Sequence, residues 1–124
     1  MRHGGAAPAL VYGWYPAERD GALTMRWTTG AAAALLRLEA PASQITATWR
    51  TVRPDQDITV RVRRLDDLAV LFERSGRVGT SWITQEFPCA LPSGTYELQI
   101  LTAPAVVVGG GRALGAGIVG LSLA

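Results

Sequence analysis

The sequence predicts an all-β fold, an antiparallel β-sandwich or jelly roll of about nine strands. Three observations predict it. Apolar and polar residues alternate with a period of two in run after run, as with Ile45, Ala47 and Trp49 against Gln44, Thr46, Thr48 and Arg50. These runs are rich in β-branched and aromatic residues, which suit a pleated, half-buried surface. Turn residues then divide the chain at short intervals: Asp20-Gly21, Arg53-Pro54-Asp55, Ser75-Gly76, Pro92-Ser93-Gly94 and Gly109-Gly110-Gly111. At 124 residues there is room for one domain, residues 1–124, with residues 1–8 expected to be a flexible start.

Each strand has its own justification. Residues 9–15 and 22–28 flank the Asp20-Gly21 turn. Leu23, Met25 and Trp27 share a parity, which sends Trp27 to the core and Arg26 away from it. Residues 32–39 compete with a helix, because Ala31 to Ala34 is a run of the best helix former. The alternation Leu36-Arg37-Leu38-Glu39, the strand-like flanks and Pro41 decide for a strand. Residues 43–51 and 57–64 alternate cleanly, with Ile58, Val60 and Val62 on one face and Thr59, Arg61 and Arg63 on the other. Residues 68–74 end at Ser75-Gly76. In 80–87, inward Ile83 and Phe87 leave Trp82, Thr84 and Glu86 outside; in 94–101, Tyr96, Leu98 and Ile100 alternate with Glu97 and Gln99. Residues 113–123 change phase, with Leu114, Ala116 and Ile118 on one parity and Leu121 and Leu123 on the other. A bulge near Gly120 reconciles them, since one extra residue turns the faces over.

Charge and composition narrow the function. Twelve basic residues face ten acidic ones, and every basic residue is an arginine. Compositional bias explains this, as does selection for fork-shaped donors to carboxylate, phosphate or sugar hydroxyl. A net charge of +2 is too small for nucleic-acid binding by counterion release. Arg37, Arg50, Arg61 and Arg63 fall on outward parities. On neighbouring strands they form either a positive face or an ordinary solvated face with acids interleaved. The start of the chain has no signal-like apolar run. The apolar stretch 103–124 is broken by Pro104, Arg112 and six glycines, so it reads as two strands and a glycine turn rather than a membrane span.

Catalytic and metal chemistry has little to work with. The single histidine, His3, lies in the glycine-rich start, so a Ser-His-Asp arrangement is not expected. The single cysteine, Cys89, has no histidine to activate it and reads as a buried structural thiol. The acids show no spacing that singles out a pair, which leaves a small hydrolase with a carboxylate pair as the weakest alternative. Asp55, Asp57, Asp66 and Asp67 read as turn residues. No cofactor and no metal is expected.

The most specific residues are Gly13-Trp14-Tyr15-Pro16-Ala17-Glu18, then Met25-Arg26-Trp27-Thr28, then Gly111-Arg112-Ala113-Leu114-Gly115. From Gly13 to Leu123 this pattern resembles a β-sandwich module found in bacterial membrane glycosyltransferases and related envelope-sugar proteins. The resemblance implies a jelly-roll domain like a carbohydrate-binding module. It also implies that Glu18, Arg26, Trp27 and Arg112 lie near one another, and an extracytoplasmic location at a bacterial membrane. Without it the location reads as cytoplasmic.

Two readings of those residues stay open. In one, Glu18 pairs with Arg26 or Arg112 and ties the first loop to a strand. In the other, Trp14, Tyr15, Glu18, Arg26, Trp82 and Arg112 contact a ligand. Exposed aromatic rings suit sugars, since a flat ring offers rigid apolar area beside polar groups. The function expected is a non-catalytic carbohydrate-binding or recognition module, an accessory domain to an envelope-sugar glycosyltransferase. Its partners are a glycan and a parent membrane protein. The alternative is a structural domain that assembles with a copy of itself or with a partner.

Overall fold

The structure, a computed structural model, describes residues 8–124. His3 and all of the expected flexible start except Pro8 lie outside the described residues.

Eleven strands follow one another: β1 Ala9–Trp14, β2 Glu18–Asp20, β3 Leu23–Leu38, β4 Ala42–Thr51, β5 Asp57–Arg64, β6 Val70–Gly76, β7 Ile83–Leu91, β8 Gly94–Ala103, β9 Val106–Val107, β10 Ala113–Leu114 and β11 Ala116–Leu123. All pairings are antiparallel. The fold is the expected β-sandwich. Strand β3 belongs to both of its layers. Its first half pairs with β11 (Arg26 with Ile118, Trp27 with Gly117), and β11 leads on to β4 and β7. Its second half pairs with β8 (Ala31 with Leu101 through Leu38 with Gly94), and β8 leads on to β5 and β6. The strands expected at 22–28 and 32–39 are therefore one. No turn pair separates them, and Thr28-Thr29-Gly30 gives a bend where the partner changes.

The layers are closed on the far side by β6 and β7, where Phe72 meets Phe87 edge-on with ring centroids 6.2 Å apart. Between them lies a core of Leu36, Ile45, Trp49, Ile58, Val60, Val62, Tyr96, Leu98, Ile100 and Leu123, all buried as their parity requires. The alternating partners Thr46, Thr59, Arg61, Glu97 and Gln99 are half-buried. Two polar side chains inside are fully used. The Tyr96 hydroxyl donates to Pro92 O at 2.6 Å. Gln56 accepts the Val52 and Arg53 N–H groups at 2.8 and 2.9 Å and donates to Pro104 O at 2.8 Å. Gln56 thus organises the turn that carries Asp55 and Asp57; a buried amide left unpaired there would cost about 1–3 kcal/mol.

The register of β11 on β4 slips between Ile118–Trp49 and Gly120–Thr48, so the bulge stands where the phase change required it. Residues 103–124 form strands and no α-helix: β9 and β10 make a hairpin around a 3₁₀ turn at Gly109–Gly111, and β11 follows. Among the described residues no helix is long and apolar enough to cross a membrane.

Two parity readings are corrected. Arg26 pairs with the inward-facing Ile118 and so lies on the inter-layer side, not away from it. Trp27 is buried, but in a second cluster with Met25 and Leu114, packed under Tyr15, Trp82 and Val108 on the other face of that layer. The positive face does not form. Arg61 and Arg63 are paired with Glu73 and Glu97 from adjacent strands, and Arg50 is on the opposite layer.

Candidate functional site

The three segments of the sequence motif meet at the corner where β3 passes between layers. Strand β1 follows the bend, with Leu10 opposite Ala34 and Trp14 opposite Thr28. Gly13 makes this approach. Its φ is +83°, and a Cβ there would fall inside contact with Ala31 O and 2.6 Å from Ala32 Cα. The turn aims Trp14, whose indole N–H donates to Ala33 O at 2.9 Å.

The next residue closes a latch. The Tyr15 N–H donates to Trp27 O at 2.9 Å, and its hydroxyl donates to Ala113 O at 3.0 Å. The Arg112 guanidinium lies 5.2 Å from the Tyr15 ring centroid and donates to Glu18 Oε2 at 2.6 Å. The Thr28 hydroxyl, fully buried, accepts the Ala116 N–H at 2.9 Å, while the Gly115 N–H donates to Thr28 O at 2.7 Å. Gly115 leaves no room for a side chain, since a Cβ would lie 2.7 Å from the Thr28 hydroxyl oxygen. Glu18 thus has the arginine partner that the pattern called for, and it is Arg112 rather than Arg26.

Beside the latch a cleft of about 320 Å³ opens between β1, β3 and β11. Trp14 and Leu10 form one wall, Ile118, Leu121 and the Val119-Gly120 bulge the other, and Thr24 and Arg26 supply polar groups. Arg26 donates Nη1 to Tyr15 O at 3.1 Å. The volume is at the lower end of the range for small-molecule sites, about 300–1,000 Å³, enough for a single sugar ring or a short saccharide.

Trp82 lies apart from the cleft, on the outer face of the same layer, beside Trp27 and Gly117. The Arg50 guanidinium is 5.0 Å from the Trp27 ring centroid and 5.2 Å from that of Trp82, and the Trp82 N–H donates to Asp20 Oδ2 at 2.7 Å. The six sequence-selected residues therefore divide. Trp14 and Arg26 face the cleft. Tyr15, Glu18 and Arg112 form the latch beside it. Trp82 belongs to the stack with Arg50.

Thr24 and the Val119-Gly120 bulge were missed as site residues, and Arg50 was named only for a positive face. Only the bulge had a sequence signal, in the phase change of the last strand. Among the described residues no three His, Cys, Asp or Glu side chains group to hold a metal ion.

No protein-family model matches the chain, and no curated protein aligns with it. Solved structures do. A β-1,3-glucan-binding family 6 carbohydrate-binding module from Bacillus halodurans superposes with a TM-score of 0.57 at 14% identity, covering 93% of this chain and 87% of that one. A family 6 module of Cellvibrio mixtus lichenase 5A, solved with cellotriose, gives 0.54 at 10% identity, covering 90% and 86%. A family 4 module gives 0.55 at 12% identity, covering 98% and 79%. The chain has the β-sandwich fold of carbohydrate-binding modules.

Proposed function

We propose that the protein is a non-catalytic carbohydrate-binding module that holds a sugar in the cleft between β1, β3 and β11. The observation that carries this is the pairing of Trp14 with Arg26 and Thr24 around one cavity in the sandwich corner. The indole ring supplies a rigid apolar wall for a pyranose face, and the guanidinium and hydroxyl supply hydrogen bonds to ring substituents. Nothing in that arrangement needs proton transfer. The latch of Tyr15, Glu18 and Arg112 holds Trp14 in place, and Trp82 offers a second, separate ring on the outer face. Resemblance in fold to modules with glucan and cellotriose in their names supports the class of ligand. The resemblance in motif supports a role as an accessory domain of a bacterial envelope-sugar glycosyltransferase.

Binding is expected to be weak, because one stacked ring and a few wet hydrogen bonds leave little surplus after association costs of at least about 4 kcal/mol. Millimolar to micromolar constants correspond to about −4 to −8 kcal/mol. The experiment is calorimetric titration with a panel of neutral and acidic oligosaccharides. Saturable binding by the wild type, lost in Trp14→Ala and kept in Trp82→Ala, is the expected result. A folded protein that binds no saccharide at millimolar concentration overturns the reading.

One observation favours the assembly alternative. Leu10, Val11 and Tyr12 of β1 are 45, 63 and 48% exposed on a strand whose only partner among the described residues is β3. Sedimentation at rising concentration decides it: a dimer dispersed by Val11→Lys supports an edge contact.

A further inference from the structure

The arginines of the protein are balanced almost everywhere. Arg50, Arg53, Arg61, Arg63, Arg64, Arg77 and Arg112 each have a carboxylate oxygen within 4 Å. Arg19, Arg37 and Arg74 have none among the described residues, but they stand exposed in water. Arg26 alone is both half-buried and, among the described residues, without a carboxylate. It sits on the inter-layer side of β3, and no Asp or Glu lines its cleft among the described residues. A guanidinium against low-dielectric walls attracts an anion more strongly than one in water, because screening there is weak and part of the arginine's desolvation is already met on folding. Its one bond among the described residues, Nη1 to Tyr15 O, leaves Nε and Nη2 free to reach a ligand, and a guanidinium carries five N–H donors in a planar fork that matches a carboxylate. Trp14 and Leu10 line the same cleft.

We infer that the cleft selects an acidic sugar, a uronic acid residue whose carboxylate is bound by Arg26 while its ring lies on Trp14. The inference rests on the carbohydrate-binding reading and adds the charge of the ligand to it. A neutral glycan would leave the Arg26 charge uncompensated; a uronate supplies the missing counter-ion without any change in the protein.

The test compares trimers of galacturonic and of glucuronic acid with their methyl esters, which keep the rings and remove the charge. The protein is the full chain, read by calorimetry and by tryptophan fluorescence. The wild type should bind at least one acid trimer about tenfold more tightly than its ester, a typical worth for a charge-assisted bond to a partly shielded group. Arg26→Gln should bind acid and ester equally, with a melting temperature close to that of the wild type. Arg26→Lys should recover part of the preference. Salt between about 0.02 and 0.5 M should weaken acid binding and leave ester binding unchanged, as screening requires. Equal binding of acid and ester by the wild type overturns the inference and leaves the carbohydrate reading standing. Acid preference that survives in Arg26→Gln also overturns it, by placing the anion elsewhere. Absence of binding by every trimer overturns the inference as well, and the panel of neutral and acidic oligosaccharides decides whether the carbohydrate reading falls with it.

Discussion

Replacing Gly13 by alanine should be one of the most damaging single-methyl changes in the protein, and a second glycine provides its control. Gly13 and Gly110 have nearly the same φ, +83° and +84°. Around Gly110 nothing lies within 4 Å of a built Cβ, whereas at Gly13 the Cβ would press on Ala31 O and stand 2.6 Å from Ala32 Cα and 2.9 Å from Ala32 Cβ. These are atoms of β3, the strand shared by both layers, and they have no rotamer by which to give way. A left-handed backbone costs an L-residue about 1–2 kcal/mol. Forcing a methyl into a filled space costs about 1–3 kcal/mol more. Restricting the unfolded chain returns about 0.4–1 kcal/mol in both variants. Gly13→Ala should therefore lose about 2–4 kcal/mol and Gly110→Ala about 1 kcal/mol. For a domain of this size 1 kcal/mol moves the melting temperature by about 3–5 °C. Circular dichroism at 218 nm, followed through thermal unfolding of both variants, reads the difference. Gly13→Ala should melt about 8–16 °C below the wild type and Gly110→Ala less than about 6 °C below it. Melting of the two variants within 2 °C of each other would refute the close approach of β1 to β3 at this corner.

The remaining predictions concern the latch, the stack and the thiol. Glu18→Gln removes the carboxylate from Arg112 where both side chains are 38% exposed; the loss should be about 0.5–1 kcal/mol, seen in urea unfolding and reduced by 0.5 M salt. Trp82→Phe keeps the ring beside Arg50 but removes the N–H bonded to Asp20. It should cost about 1 kcal/mol and leave saccharide binding at the cleft unchanged in calorimetry. Burial pushes the Cys89 thiol above its ordinary range. Alkylation by iodoacetamide at pH 8 should therefore be slower than for a free cysteine and should rise with pH until the thiolate forms. The sign for stability follows: a raised folded-state value favours the folded form below the unfolded thiol's range, and that contribution is lost as the pH climbs through the folded value.

The parts of the fold legible in the sequence are those where one face of a strand meets the core and the other meets water. In β4, β5 and β8 this one-sided burial writes a period of two directly into the residues, and Ile45, Trp49, Val60 and Leu98 are buried as that period demands. The bulge at Gly120 was legible for the same reason, since the period breaks there. Strand β3 was not. In its first half the apolar residues, Met25 and Trp27, are buried in the second cluster on the outer side, while Thr24 and Arg26 on the inter-layer side line the cleft. Parity then names two faces but not which is which, and Arg26 was placed on the wrong one. Its length was hidden as well, because a strand that changes partners at Thr28–Ala31 owes its continuity to β8 and β11, far away in sequence.

The same distinction explains how the candidate site divides. A residue chosen for belonging to a motif is chosen for whatever keeps that motif together, and at this corner three distant segments must be kept together. Gly13 permits the approach, Tyr15 and Glu18 close on Ala113 and Arg112, and Thr28 receives the Ala116 N–H. Each has its hydrogen-bonding groups directed at protein partners, and none of the three polar side chains of the latch lines the cleft. Trp14 and Arg26 differ in kind. The Trp14 N–H is bonded to Ala33 O, which fixes the ring, yet its ring forms a wall of open space. Arg26 has one carbonyl partner and a charge with no carboxylate beside it among the described residues. A rigid ring and an uncompensated fork lining one cavity are what a recognition site needs, and the latch beside them holds the corner together. Substitutions in the latch should accordingly lower stability and affinity together, whereas Arg26→Gln should lower affinity alone.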